Sequence, residues 1–212
     1  NPILADFRLG GSTLGLMLGM ENSGTMASAL GNATAELVPE FLARQLQTHE
    51  NGMRLLMASA LPVEAQINIR PEAALAVISG LRKLGSPVIV DLGNRYTQTL
   101  QRLVEAMDSV VLLVEPSAMG LYLARGLVET LSLNNNRLHL TIMSRYEGKN
   151  SVGYSWQAIE STLDCEISAM LAAVPGLATR AIAAGQPMLT LDPDAIFSSQ
   201  VRKLALLICV KS

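Results

Sequence analysis

Short apolar runs, each closed by a charge or a proline, punctuate this chain. Ile3-Leu4-Ala5 ends at Asp6, and Val88-Ile89-Val90 ends at Asp91; both follow a proline, Pro2 and Pro87. Blocks of β-prone residues without polar alternation predict strands buried on both faces, as in a parallel sheet. Val110–Val114 is a further unbroken apolar block and predicts another fully buried strand, stopping at Glu115-Pro116-Ser117. Met53–Met57, Leu138–Met143 and Ile167–Ala172 complete the predicted strands.

Between these blocks the apolar spacing changes to that of helices. Helices are predicted over Thr25–Leu30 and Thr34–Gln47, the second with Thr34 as a possible N-cap and Leu37, Phe41 and Leu42 on one face. Leu14–Met20 is either a short helix or packing beneath a loop. The helix after Pro71 is well marked, with Glu72 in its first turn, Ala74, Ile78 and Leu81 on one face, and Arg82-Lys83 before Gly85. Further helices are predicted around Leu100–Met107, from Ser117 to about Leu133, over Trp156–Leu163, and from Pro193 through Phe197, Val201, Leu204 and Ile208. Ala58–Ile69 reads as a loop and Val174-Pro175-Gly176 as a bend. Trp156 and the methionines read as core. Strand and helix alternate throughout, so the predicted class is α/β: a doubly wound, mainly parallel sheet with helices on both faces, in one domain spanning 1–212.

Composition narrows the function. The chain has 212 residues, half of them hydrophobic and 4% aromatic, so its core is aliphatic. A net charge of −2 with scattered arginines supplies no stripe for nucleic acid. Cys165 and Cys209 are too far apart in sequence to suggest a disulfide framework, and His49 and His139 are too isolated for a zinc site. No apolar run reaches membrane-spanning length and no secretory signal opens the chain, which predicts a cytoplasmic protein.

Ligands of open α/β sheets bind beyond the carboxyl ends of the strands. Asp6 and Asp91 stand at such ends, and an Asp there can orient the water shell of a Mg²⁺ ion in nucleotide-hydrolysing folds. The plainer reading is a carboxylate that ends a strand or caps a turn. Gly10-Gly11 similarly suits either a phosphate-approaching loop or an ordinary turn. A phosphate loop is not found among the four lysines, Lys83, Lys149, Lys203 and Lys211. Around Gly148-Lys149-Asn150, Met143 stands where the first Gly of the motif belongs and Asn150 where Ser or Thr should follow the Lys.

Ile3-Leu-Ala-Asp6-Phe, Val88-Ile-Val-Asp91-Leu, Val110–Pro116, Ile142-Met-Ser-Arg145-Tyr146 and Val174-Pro175 through Ala184-Gly-Gln-Pro187 come in an order that resembles the MinD/ParA-type deviant Walker ATPases. The resemblance is closest to the CpaE/TadZ branch, which localises assembly of Tad (Flp) pili, and it covers nearly the whole chain. It implies a P-loop NTPase-like fold whose first strand and phosphate loop precede Asn1, so the chain is expected to be truncated at its N-terminus. It implies ATP or ADP with Mg²⁺ as cofactors, Asp91 as the carboxylate acting on Mg²⁺ through water, and Asp6 as the first Asp of an Asp-x-Asp switch with a catalytic role. Arg8 replaces the second Asp, which positions attacking water in the family. Ser144 and Arg145 are implied to flank adenine and Pro175 to close the other side of the base, although Arg145 on its own reads equally as an exposed strand-end arginine. The partners implied are a second copy of the chain in a homodimer and pilus or secretion-machinery proteins, with membrane contact only indirect and recruitment to the inner membrane face or cell pole. An apolar face on the last helix, with only Arg202, Lys203 and Lys211 nearby as cations, suits docking on the domain better than membrane binding.

The expected function is therefore a weakly hydrolysing or non-hydrolysing ATP-binding localisation factor. The alternatives are an active ATPase that positions cargo, septum or plasmid, against which Arg8 counts, and a nicotinamide-dependent enzyme. The latter would need a Gly-x-Gly-x-x-Gly after a strand, which Gly10-Gly11 does not supply.

Overall fold

The computed structural model describes residues 1–20, 25–31, 39–94, 96–131, 138–143 and 153–210. Its contacts divide the chain into two compact units, Asn1–Ala106 with Ile182–Gln186, and Met107–Ala181 with Pro187–Ser212.

The first unit runs β1 (Ile3–Asp6), α1 (Leu14–Met17), α2 (Thr25–Gly31), α3 (Pro39–Gln45), β2 (Gln47–Thr48), β3 (Arg54–Leu56), α4 (Pro71–Leu84), β4 (Val88–Asp91) and α5 (Gln98–Ala106). Its sheet has the order β2-β3-β1-β4, with β1 parallel to both β3 and β4 and only β2 antiparallel. The register sets Asp6 opposite Asp91. Strands β1 and β3 are interior, and Ile3 and Ala5 of β1 are fully buried. Helix α4 has the predicted anatomy: Pro71 at its start where no intrahelical donor is needed, Glu72 in the first turn, and Arg82 and Lys83 in the last. Its buried face, Ala74, Val77, Ile78 and Leu81, belongs to a helix that packs against α3 and α5.

The second unit runs β5 (Val110–Val114), α6 (Ala118–Leu131), β6 (Leu138–Met143), α7 (Trp156–Leu163), β7 (Ile167–Leu171), α8 (Pro175–Ala184, whose residues from Ile182 on group with the first unit), α9 (Met188–Leu191) and α10 (Ile196–Val210). Its sheet is fully parallel, β5-β6-β7. One aliphatic cluster fills it: Val114, Leu121, Ala124, Val128, Leu140, Ile142, Ile159 and Leu163, with Cys165 among them. Neutral serines cap the starts of α6 and α7. Ser155 Oγ accepts the Ala158 N–H at 3.2 Å, and Ser117 Oγ accepts that of Gly120 at 3.0 Å. Helix α10 packs on β7 and buries Phe197 and Leu204.

Mostly parallel sheets flanked by helices are the expected α/β class. Several local expectations change. Strands β4 and β5 lie at sheet edges rather than being covered on both sides, and Ile89, Val111 and Leu113 are 56%, 44% and 54% exposed. The helix expected to reach Gln47 ends at Gln45, because Gln47-Thr48 turns back through His49–Gly52 to pair with β3. Its expected cap, Thr34, lies outside the described residues. The loop over 58–69 contains a 3-10 turn, Pro62–Gln66. The bend at Val174-Pro175-Gly176 is instead the start of α8, with Pro175 as its first residue, a position that suits proline's fixed φ. Trp156 is 47% exposed, since it opens α7 a full turn before that helix first reaches the core at Ile159. The methionines divide: Met26 and Met57 are buried, whereas Met17 and Met119 are exposed.

Candidate functional site

Two neighbouring parallel strands end in aspartates at the same level, so the first unit places two carboxylates side by side at the carboxyl edge of its sheet. Arg8 binds both. Its Nε lies 3.2 Å from Asp6 Oδ1 and 3.1 Å from Asp91 Oδ2. Its backbone N–H donates to Asp6 Oδ1 at 2.8 Å, and Nη2 donates to Asp6 Oδ2 at 3.3 Å. Ser12, also buried, donates its hydroxyl to Asp6 Oδ2.

The two carboxylates differ in setting. Asp6 is fully buried, and protein donors serve both of its oxygens. Such a charge is tolerable only with a compensating cation and hydrogen bonds. Asp91 is 38% exposed; one oxygen meets Arg8 and the other accepts the Gly93 N–H at 2.9 Å. The Arg8 pKa lies above its ordinary value: burial pulls it down, but the Asp6 hydrogen bond and the charges of Asp6 and Asp91 outweigh that. The guanidinium is thus a permanent cation.

Two glycines make room for this arrangement. Gly93 takes φ +68°, and a Cβ there would press to 3.0 Å on Arg8 Cγ. Gly10 takes φ +72°, donates its N–H to Ser59 at 3.1 Å, and faces Ala65 so closely that a Cβ would lie 2.5 Å from the Ala65 nitrogen. The close partner of the Gly10 turn is thus the 3-10 segment. A cleft of about 700 Å³ lies within this unit, lined among others by Phe7, Arg8, Gly10, Ile69, Gly93 and Leu103. Arg8 lines it; neither carboxylate does.

Of the residues singled out from sequence, Asp6 and Asp91 come together, with Arg8 between them. Pro175 opens α8 in the other unit. Ser144 and Arg145 lie outside the described residues, as does Gly148-Lys149-Asn150. Ser12 was not singled out: a serine in a polar glycine-rich loop carries no sign that it will turn inward to a buried carboxylate. Each Asp6 oxygen already takes two donors, from Arg8 and Ser12, so Asp6 as arranged offers no oxygen to a Mg²⁺ ion, whereas each Asp91 oxygen meets one, Gly93 or Arg8. Among the described residues no group of three or more His, Cys, Asp or Glu is placed to hold a metal.

No protein-family model matches the chain, and no curated protein matches it in sequence. Solved structures do match in fold. A ParA family ATPase from Chlorobium tepidum TLS superposes with a TM-score of 0.83 at 20% identity, covering 97% of this chain and 85% of that one. MinD in the MinC:MinD cell division complex of Aquifex aeolicus gives 0.76 at 20% identity over 100% and 84%. The septum site-determining protein MinD of Pyrococcus horikoshii OT3, complexed with Mg-ADP, gives 0.75 at 18% over 100% and 86%. The chain therefore has the P-loop NTPase-like fold of ParA and MinD ATPases.

Proposed function

We propose that this chain is a single MinD/ParA-like domain that binds ATP or ADP and hydrolyses it slowly or not at all. It acts as a CpaE/TadZ-like localisation factor for Tad/Flp pilus assembly. The observation that carries the reading is Arg8, bound to both strand-end aspartates on a fold shared with ParA and MinD ATPases. Hydrolysis needs a group that orients attacking water and accepts its proton. An arginine has no acceptor, and this one also engages the two carboxylates nearest to hand. Asp6 is thereby withdrawn from its implied catalytic role. Magnesium enters, on this reading, with the nucleotide's phosphates rather than through Asp91.

The remaining assignments extend the same reading. Ser144, Arg145 and Pro175 contact the base, and the protein works as a homodimer that recruits pilus or secretion-machinery proteins at the inner face of the membrane or the cell pole. Among the described residues no helix is long and apolar enough to cross a membrane. An active positioning ATPase is the second reading, favoured by the ParA and MinD fold and opposed by Arg8.

The test compares the unaltered full-length protein with Arg8→Asp, measuring binding of a fluorescent ATP analogue and phosphate release. Saturable binding with slower release than in the variant is expected; a missing water-positioning group removes roughly 10²–10⁴-fold of rate. Absence of saturable binding refutes the nucleotide reading. Release equal to or faster than in the variant refutes the role given to Arg8.

A further inference from the structure

We propose that Arg8 is the resident cation of the Asp6–Asp91 pair and bars a divalent ion from it. The inference goes beyond nucleotide binding and holds whether or not a nucleotide enters. It begins with electrostatics. Two aspartates ending adjacent strands in register, one fully buried, repel each other unless positive charge lies between them. In proteins that charge is commonly a hard dication, which gathers carboxylate oxygens and water around itself. Here a guanidinium occupies the position, with Nε at 3.2 Å from one carboxylate and 3.1 Å from the other.

The surroundings are shaped for the arginine rather than for an ion. The Asp6 oxygens are filled from three directions, by the Arg8 backbone N–H, the Arg8 side chain and the Ser12 hydroxyl. The Asp91 oxygen that Arg8 does not engage accepts the Gly93 N–H. The absence of a side chain at Gly93 leaves space for the aliphatic stem of Arg8, which any Cβ would crowd. Because Arg8 sits two residues after Asp6 on the same chain, its local concentration is fixed, whereas a metal must compete from solution. The pair is thus a carboxylate site closed by its own chain.

Removing the cation while keeping the shape should open the site. Mn²⁺ binding to the full-length protein is followed by loss of the free-ion paramagnetic resonance signal, without nucleotide. The unaltered protein is expected to show no saturable binding in the millimolar range and no rise in melting temperature with Mn²⁺. Arg8→Gln is expected to gain saturable binding, at least about tenfold tighter than the unaltered protein, together with a Mn²⁺-dependent rise in melting temperature. Arg8→Gln with Asp6→Asn is expected to lose both. Saturable Mn²⁺ binding by the unaltered protein that Asp91→Asn abolishes overturns the proposal, and this arm needs no Arg8 variant to fold. A folded Arg8→Gln protein that gains no binding overturns it equally. Because no nucleotide is present, either failure is distinct from a failure of the ATP reading.

Discussion

Both units bury aliphatic cores, but they hold the carboxyl ends of their parallel strands with different chemistry. In the first, the carboxyl ends of β1 and β4 meet in a charged clasp: buried Asp6, half-buried Arg8 and the more exposed Asp91. In the second, β5 and β6 are joined by an aliphatic cluster, and the helices that follow are started by neutral serine caps. The clasp depends on its cation, since buried Asp6 without Arg8 is a severe penalty. The aliphatic cluster is graded, because each methyl group adds its own increment. The first unit therefore adds to its own aliphatic core, Leu55, Leu56, Met57 and Leu81 among it, a contribution concentrated in a few charged atoms, whereas in the second unit the anchoring is spread through the core.

The largest effect should come from breaking the clasp. Arg8→Met keeps the aliphatic stem but leaves Asp6 buried without a counter-ion, which is expected to destabilise by about 3–5 kcal/mol. Asp91→Asn removes only the exposed arm and is expected to cost about 0–1 kcal/mol, in the range of solvent-screened pairs. Urea unfolding of the two variants checks the asymmetry. Equal losses would mean that the clasp is held by Asp91 as much as by Asp6, and the contrast between the units would weaken.

Much of this was legible in the sequence. The apolar runs ending at Asp6 and Asp91 located β1 and β4, and Pro71, Glu72, Arg82 and Lys83 bracketed α4 within a residue. Periodicity cannot tell an interior strand from an edge strand, so β4 and β5 read as covered while Ile89, Val111 and Leu113 stand exposed. Nor can it supply register. That Asp6 lies opposite Asp91, and that one arginine spans both, follows from pairing strands some eighty residues apart. Sequence reading took Arg8 as a lost carboxylate; that it pairs with both strand-end aspartates needed the fold. Strand β2 was missed because two residues are too short to carry a period, and Pro175-Gly176 suits a bend as well as a helix start.

A smaller change tests the other side of the comparison. Ile142 on β6 is buried within the aliphatic cluster. Ile142→Val deletes one methylene there and is expected to destabilise by roughly 0.5–1.5 kcal/mol. Because no charge is stranded, the loss should be nearly independent of salt, whereas the loss in Arg8→Met should change with it. Unfolding of both variants at low and high salt separates the two behaviours. A strong salt response in Ile142→Val would show that the second unit also leans on charge.

The smallest expected effect at neutral pH is a dependence on alkaline pH inside that aliphatic cluster. Burial pushes the Cys165 thiol pKa up, and the negative charge of Asp164 adds to the rise. An unfolded chain presents a thiol of ordinary pKa, about 8.5. Above that pH the unfolded state gives up its proton while the folded state still holds one. The unfolded state then binds fewer protons, so stability falls as pH rises. The contribution is fully present below the unfolded thiol's pKa and declines above it, by at most about 1.4 kcal/mol per pH unit. Cys165→Ala removes this component, so its unfolding free energy should fall less steeply between pH 8 and 10 than that of the unaltered protein. Alkylation gives a parallel readout: in the folded protein exposed Cys209 should react with iodoacetamide, while buried Cys165 reacts only after denaturation. Identical alkaline slopes in the two proteins, or labelling of Cys165 in the folded state, would show that the second unit's core does not exclude charge as its packing implies.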